Sequence, residues 1–221
     1  MSRQCTPTAC TPRSRRTHSM FGFRRVRGGV SSGGDIFELE VIASLMRDVV
    51  SVLGEDVAVV DVTDDPLAVL ERELAPAQEP SSDPALYRLL PDMSEDPEEA
   101  RELRQLTESS VRSTKISNLT TVYRVLSAST GRIFVAEDDI PVWMAALNDL
   151  RLVLATRLDI DSSERADEIA HRAGEIADGL HPQDPEDEEQ EVENQLILVF
   201  AMITWWQDSL IDAVRLRRPR G

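Results

Sequence analysis

The sequence predicts a mainly α-helical fold: about six helices packed around an apolar C-terminal helix, a minor two-stranded β element and a disordered N-terminal tail. Three observations carry that reading. Apolar residues recur at spacings of three and four over much of residues 35–216. Strand-like alternation is confined to two short stretches, 21–30 and 131–135. The first 20 residues show neither pattern. The chain therefore divides into a basic tail, 1–20, and one acidic helical domain, 21–221. At 221 residues with 41% hydrophobic content it is long enough and apolar enough for a single core. Aromatic residues supply only 5%, so Leu, Val, Ile and Ala must fill most of that core.

In chain order, residues 1–20 are rich in Ser, Thr, Pro and Arg and read as a flexible tail. Met20 offers an alternative start, which would remove everything before it. Phe21 to Val30 alternates weakly and suggests one strand, with a turn at Ser31–Gly34. Asp35 opens a helix whose Leu39, Ile42, Leu45, Met46, Val49, Val50 and Leu53 share a face, with Gly54 as its stop. Asp64, Asp65 and Pro66 start another, carrying Leu67, Leu70 and Leu74 and ended by Pro76. Residues 77–82 read as a linker, and Asp83-Pro84 opens a single helical turn through Leu90. A long helix follows, capped by Ser94 and running to about Ser127. Its Ser/Thr-rich middle predicts a break near Ser117.

Gly131 to Val135 is the second strand and is expected to pair with Phe21–Val30. Helices are predicted over 139–158 and, with Ser162 or Ser163 as cap, up to Gly179. Residues 181–191 form an acidic, proline-broken loop. The last helix, about 190–216, is apolar almost all round between Leu196 and Trp206, which makes it the expected core axis. Trp143 and Trp205 are expected in the core, with Trp206 left open.

Charge is distributed unevenly. Residues 1–27 hold seven arginines and no acid, and four more arginines lie in the last seven residues. That leaves 13 of the 24 basic residues against all 40 acids within 28–214, a body near −27. Such a body repels nucleic acid and favours a basic protein surface. Lys115 is the sole lysine, a bias that fits a GC-rich coding genome. No secretory signal is visible, and the apolar run Leu196–Trp206 is too short to span a bilayer, so a cytoplasmic location is expected and no membrane partner.

Motifs for chemistry are few. Cys5 and Cys10 are the only cysteines and both lie in the basic tail. Nearby cations lower a thiol pKa from its free value of ~8.5, and Arg3, Arg13, Arg15 and Arg16 supply them. A turn at Pro7 would let the two Cα atoms approach within the roughly 7 Å that a disulfide needs. The same residues also fit two incidental thiols in an unstructured extension. A zinc site fits less well, because zinc takes four ligands and only His18 is near. His171, with Glu168 and Glu175 on one helix face, reads as an exposed histidine paired with its neighbours rather than half a metal site. The acid pairs Asp64-Asp65 and Asp138-Asp139 read as helix caps, not as general acid and base. No nucleophile–base pair and no phosphate-binding loop stands out. No enzyme activity, cofactor, metal or small-molecule substrate is expected.

Several segments carry a resemblance: Phe23-Arg24-Arg25-Val26, Leu86-Tyr87-Arg88-Leu89-Leu90-Pro91-Asp92, Leu147-Asn148-Asp149-Leu150-Arg151-Leu152 and Trp205-Trp206-Gln207-Asp208-Ser209-Leu210. Over about 21–216 the chain resembles an actinobacterial family of cytoplasmic proteins whose named type is the actinomycete oxidative-stress regulator. The resemblance brings no catalytic residues. It implies a redox-responsive transcriptional regulator in which an N-terminal cysteine pair, here Cys5 and Cys10, closes an intramolecular disulfide under oxidant. The oxidised protein would then associate with an extracytoplasmic-function sigma factor and alter stress and sulfur-metabolism gene expression, without contacting nucleic acid itself. The competing class is a redox-inert adaptor or scaffold in which the acidic helical body does all the binding.

Overall fold

The computed structural model describes residues 20–57, 83–180 and 188–215. The predicted helix at 64–75, the linker 77–82 and most of the acidic loop lie outside those residues, as do Cys5, Cys10 and His18. Among the described residues are three strands, β1 (Phe21–Val26), β2 (Gly29–Gly33) and β3 (Arg132–Ala136). Six α-helices accompany them: α1 (Ile36–Val52), α2 (Pro84–Leu89), α3 (Pro97–Ser127), α4 (Ile140–Arg157), α5 (Ser163–Ala177) and α6 (Glu188–Arg215). The chain is mostly helical, as its periodicity predicts.

The β element has three strands rather than two. The stretch read as one strand folds back on itself at Arg27-Gly28, where Gly28 takes φ 82°, a left-handed conformation that costs glycine little. Ser31 to Gly33, expected as a turn, therefore lie in the central strand of an antiparallel β1-β2-β3 sheet. A methyl group at Gly29 would meet the Val135 carbonyl oxygen at 2.0 Å, and one at Gly33 the Gly131 oxygen at 2.3 Å. Close backbone approach, not strand propensity, selects glycine here.

Helix ends follow local chemistry. Asp35 accepts from the Phe37 N–H while Glu38 reaches back to the Asp35 N–H, a capping box that starts α1. α3 begins two residues later than expected: Asp96 is its cap, and Ser94 instead accepts from the Asp96 N–H. α3 then runs unbroken for 31 residues. Its hydroxyls do not interrupt it, because Thr107, Thr114 and Thr121 each donate to the carbonyl four residues back.

The main core lies between α1, α3, α4, α6 and the inner sheet face, with Ile42, Met46, Leu119, Leu126, Val30, Ile133 and Leu147 buried. A second, smaller cluster joins the C-terminal end of α4 to α5 and α6 through Leu158, Ile169 and Ile197. α6 packs on β1, α4 and α5 and so serves both clusters. It is long and apolar enough to cross a membrane by length and composition, yet it contributes Ile197, Ile203, Trp206 and Leu210 to the packed interior. Trp143 and Trp206 are buried, whereas Trp205 is 48% exposed, contrary to its expected core position.

Candidate functional site

The tail joins the body where β1 meets α6, and that junction is tightly built. Ser209 Oγ accepts from the Phe23 N–H at 3.0 Å and donates to the Trp206 carbonyl at 2.6 Å. Trp206 Nε1 donates to Ser32 Oγ at 2.8 Å, and Ser32 Oγ donates to the Phe21 carbonyl at 2.5 Å. Each hydroxyl thus uses one donor and one acceptor, and the buried indole N–H is satisfied. The Phe23 ring stacks on Trp206 at 4.9 Å between centroids and meets Trp143 edge-on at 5.9 Å. The strand that follows the tail is therefore fixed to the C-terminal helix by hydrogen bonds and by aromatic contacts.

Met20, immediately before β1, lines an apolar cavity of about 290 Å³ between the N-terminal end of α1 and the middle of α6. Phe37, Val41, Leu198, Val199 and Met202 form the rest of its wall, with Glu38 as the single acid. Leu198, Val199 and Met202, in the apolar run of α6, thus border a cavity shared with α1.

Two ionic clusters stand apart from that junction. Lys115 Nζ meets Asp149 Oδ1 at 2.6 Å, joining α3 to α4, and Asp149 is buried. Burial pushes the Asp149 carboxyl above its ordinary range, and the hydrogen bond and charge of Lys115 only partly offset that. Buried Glu108 lies between Arg104 at 3.2 Å and Arg112 at 2.6 Å; Arg112 also donates to the Leu53 carbonyl, and Arg104 bonds Asp92. Both clusters tie helices together. Arg104 and Glu108 also line a small depression with Asp92, Met93 and Thr107, and the Thr107 hydroxyl there is engaged with the Leu103 carbonyl.

The residues singled out by sequence are not brought together. Cys5 and Cys10 lie outside the described residues. His171 is exposed, 3.7 Å from Glu175. Among the described residues no group of three His, Cys, Asp or Glu side chains could hold a metal ion. Asp138 and Asp139 lie in the 3-10 turn Glu137–Asp139 before α4; Asp139 takes the N-cap position of α4, as expected, but its side chain makes no cap hydrogen bond. Asp64 and Asp65 lie outside the described residues.

Residues 20–214 match the model of the family described as Domain of unknown function (DUF2017). The chain belongs to that family. The DUF2017 match begins at Met20, so it takes in the β1–α6 junction and both ionic clusters but neither cysteine. No curated protein and no solved structure matches the chain.

Sequence reasoning missed the Lys115–Asp149 pair, although both signals were present. Lys115 is the only lysine, and Asp149 is the one acid within the α4 stretch Ile140–Arg157. It also missed Ser32 and Ser209, ordinary serines whose hydroxyls matter only because the fold places Trp206 and Phe23 beside them.

Proposed function

We propose that this DUF2017 protein is a redox-responsive regulator of transcription that works in the cytoplasm by binding a protein, an extracytoplasmic-function sigma factor. One observation carries the reading: both thiols of the chain, Cys5 and Cys10, lie within its first ten residues, among arginines that favour thiolate. The chemistry balances with peroxide as the oxidant. A thiolate attacks the peroxide oxygen, giving a sulfenic acid and, after protonation, one water. The second thiol then displaces the sulfenic hydroxyl, closing the disulfide and releasing a second water. Two electrons pass from the sulfurs to peroxide. The junction of β1 with α6 fixes the point at which the tail meets the domain. The acidic body suits a basic partner surface.

Trypsin releases Gln4–Arg13 with both cysteines. Under non-reducing conditions this peptide is expected to lose two hydrogens in mass after peroxide treatment of the full-length protein, and sigma-factor binding should change with it. A peptide of unchanged mass overturns the reading, as does equal peroxide sensitivity in the Cys5→Ser/Cys10→Ser variant.

A redox-inert acidic adaptor is the second reading. It is favoured by the family match beginning at residue 20, after both cysteines. In that case a chain starting at Met20 binds the same partner with unchanged affinity.

A further inference from the structure

The outer face of the sheet is built unlike the rest of the surface. The register aligns three rows across the strands: Phe21–Gly33–Arg132, Arg24–Ser31–Phe134 and Val26–Gly29–Ala136. Residues directly opposite share a face. An irregularity in β1 between Phe21 and Arg24 brings both side chains onto it. The central strand contributes only Gly33, Ser31 and Gly29, while the flanking strands carry long side chains. The result is a shallow trough, with a depression of about 380 Å³ along the β1–β2 side that reaches Arg132. Phe21 is 59% exposed, Phe134 56% and Val26 40%. Arg24 and Arg132 are exposed and form no ion pair among the described residues, whereas Arg25, in the Val30–Val135 row of the opposite face, pairs with Glu137. Two unneutralised guanidinium groups flanked by exposed rings are unusual on a domain, 21–221, that carries 40 acids against 20 basic residues.

We propose that this face binds an acidic segment of a protein partner, one that presents carboxylates to Arg24 and Arg132 and an aromatic or other apolar side chain to Phe21 and Phe134. Arginine forks match carboxylates bidentately, and exposed aromatic and arginine side chains are the groups enriched at binding hot spots. A short acidic segment meets only the local cationic face. A nucleic-acid strand, by contrast, would also bring its line of phosphates against the surrounding acids while gaining few phosphate contacts. The inference rests on the sheet alone and is independent of the tail chemistry proposed above.

The test uses the full-length protein and a fluorescein-labelled synthetic peptide rich in Asp and Glu with one Trp. Comparison probes are the same peptide with Lys for each acid, the same peptide with Ala for Trp, and an oligothymidylate. Anisotropy is expected to show binding of the acidic Trp peptide that weakens with salt. Arg24→Glu/Arg132→Glu and, separately, Phe134→Ala should each weaken it by about tenfold or more. Arg24→Gln/Arg132→Gln provides a milder charge variant should the reversal disturb folding. Amide shifts should centre on Gly29, Ser31 and Phe134. The inference is overturned by equal binding of the Lys peptide, by displacement of the peptide with oligothymidylate, by absence of binding, or by shifts that map elsewhere. Light scattering that shows a dimer closed through this face also overturns it. The Cys5→Ser/Cys10→Ser protein should bind the peptide unchanged; a loss there assigns the binding to the tail and refutes the sheet.

Discussion

Lys115 Nζ sits 2.6 Å from Asp149 Oδ1 and joins the middle of α3 to the middle of α4. Asp149 is 2% exposed, and its second oxygen has no hydrogen-bond partner among the described residues. A half-satisfied buried carboxylate depends on its cation, since removing one partner of a buried pair leaves an uncompensated charge. Lys115→Met is therefore expected to destabilise the fold by about 3–5 kcal/mol. Lys115→Met combined with Asp149→Leu should recover most of that loss, because an apolar pair of similar volume replaces the ions. Urea denaturation of the two variants measures the difference. Equal midpoints for Lys115→Met and the parent would show that the contact contributes nothing.

Trp206 links sheet and helix in two ways, by its ring and by its N–H. Trp206→Phe keeps much of the aromatic contact with Phe23 and Trp143 but removes the hydrogen bond to Ser32. A loss of about 1–2 kcal/mol is expected for the missing bond. Trp205→Ala, on the exposed side of the same helix, should change stability by no more than about 0.5 kcal/mol. In acrylamide quenching Trp205 should be the accessible indole, so Trp205→Phe leaves fluorescence that is largely protected. A large effect at Trp205 and none at Trp206 would reverse the assignment of the two faces.

The contrast between adjacent tryptophans shows what the sequence makes legible. Ile203, Trp206, Leu210 and Ala213 fall at spacings of three, four and three and are all buried, so the phase of α6 selects Trp206 over Trp205. The run Leu196–Trp206 masks that phase, because every position in it but Thr204 is apolar. Helices with clean stripes and strong caps, such as α1 with Asp35 and Glu38, can be read to within a residue or two. β2 cannot, because Gly-Val-Ser-Ser-Gly has little strand character of its own and is a strand only because β1 and β3 pair with both its edges. The same holds for the trough on the outer sheet face: Arg24 and Phe134 are 110 positions apart and become neighbours only through Ser31. Cys5 and Cys10 were plain in the sequence and gain no further support from the fold.

Two glycines should respond to the same change with opposite signs. Gly29 lies against β3, where a methyl group would meet the Val135 oxygen at 2.0 Å. Gly174 lies inside α5 with nothing within 4 Å of the same position. Gly29→Ala should destabilise by about 1–3 kcal/mol, since strand backbones must move apart. Gly174→Ala should stabilise by about 0.5–1 kcal/mol through helix propensity and a less disordered unfolded chain. Thermal midpoints by circular dichroism are sufficient to compare them. A neutral Gly29→Ala would mean that β2 and β3 are not packed so closely.

Asp149 and Asp83 should titrate in opposite directions from the ordinary 3.8. Burial raises Asp149. Asp83 caps α2 and accepts from the Ala85 N–H at 2.9 Å, and it also bonds Arg157 at 2.8 Å; the backbone bond first and the arginine second hold it low. A raised carboxyl binds its proton more tightly in the folded state, so its favourable contribution is complete below 3.8 and disappears as pH rises through the raised value. A lowered carboxyl contributes above 3.8, and that contribution disappears as pH falls through the lowered value. Carboxyl ¹³C titration of the folded protein should place the Asp149 midpoint above 3.8 and the Asp83 midpoint below it. In stability measured against pH, Asp83→Asn should flatten the acid limb below 3.8, and Asp149→Asn should remove a decline that begins above it. An Asp149 midpoint at or below 3.8 would mean that Lys115 outweighs burial, and the pair would then be a net source of stability at neutral pH.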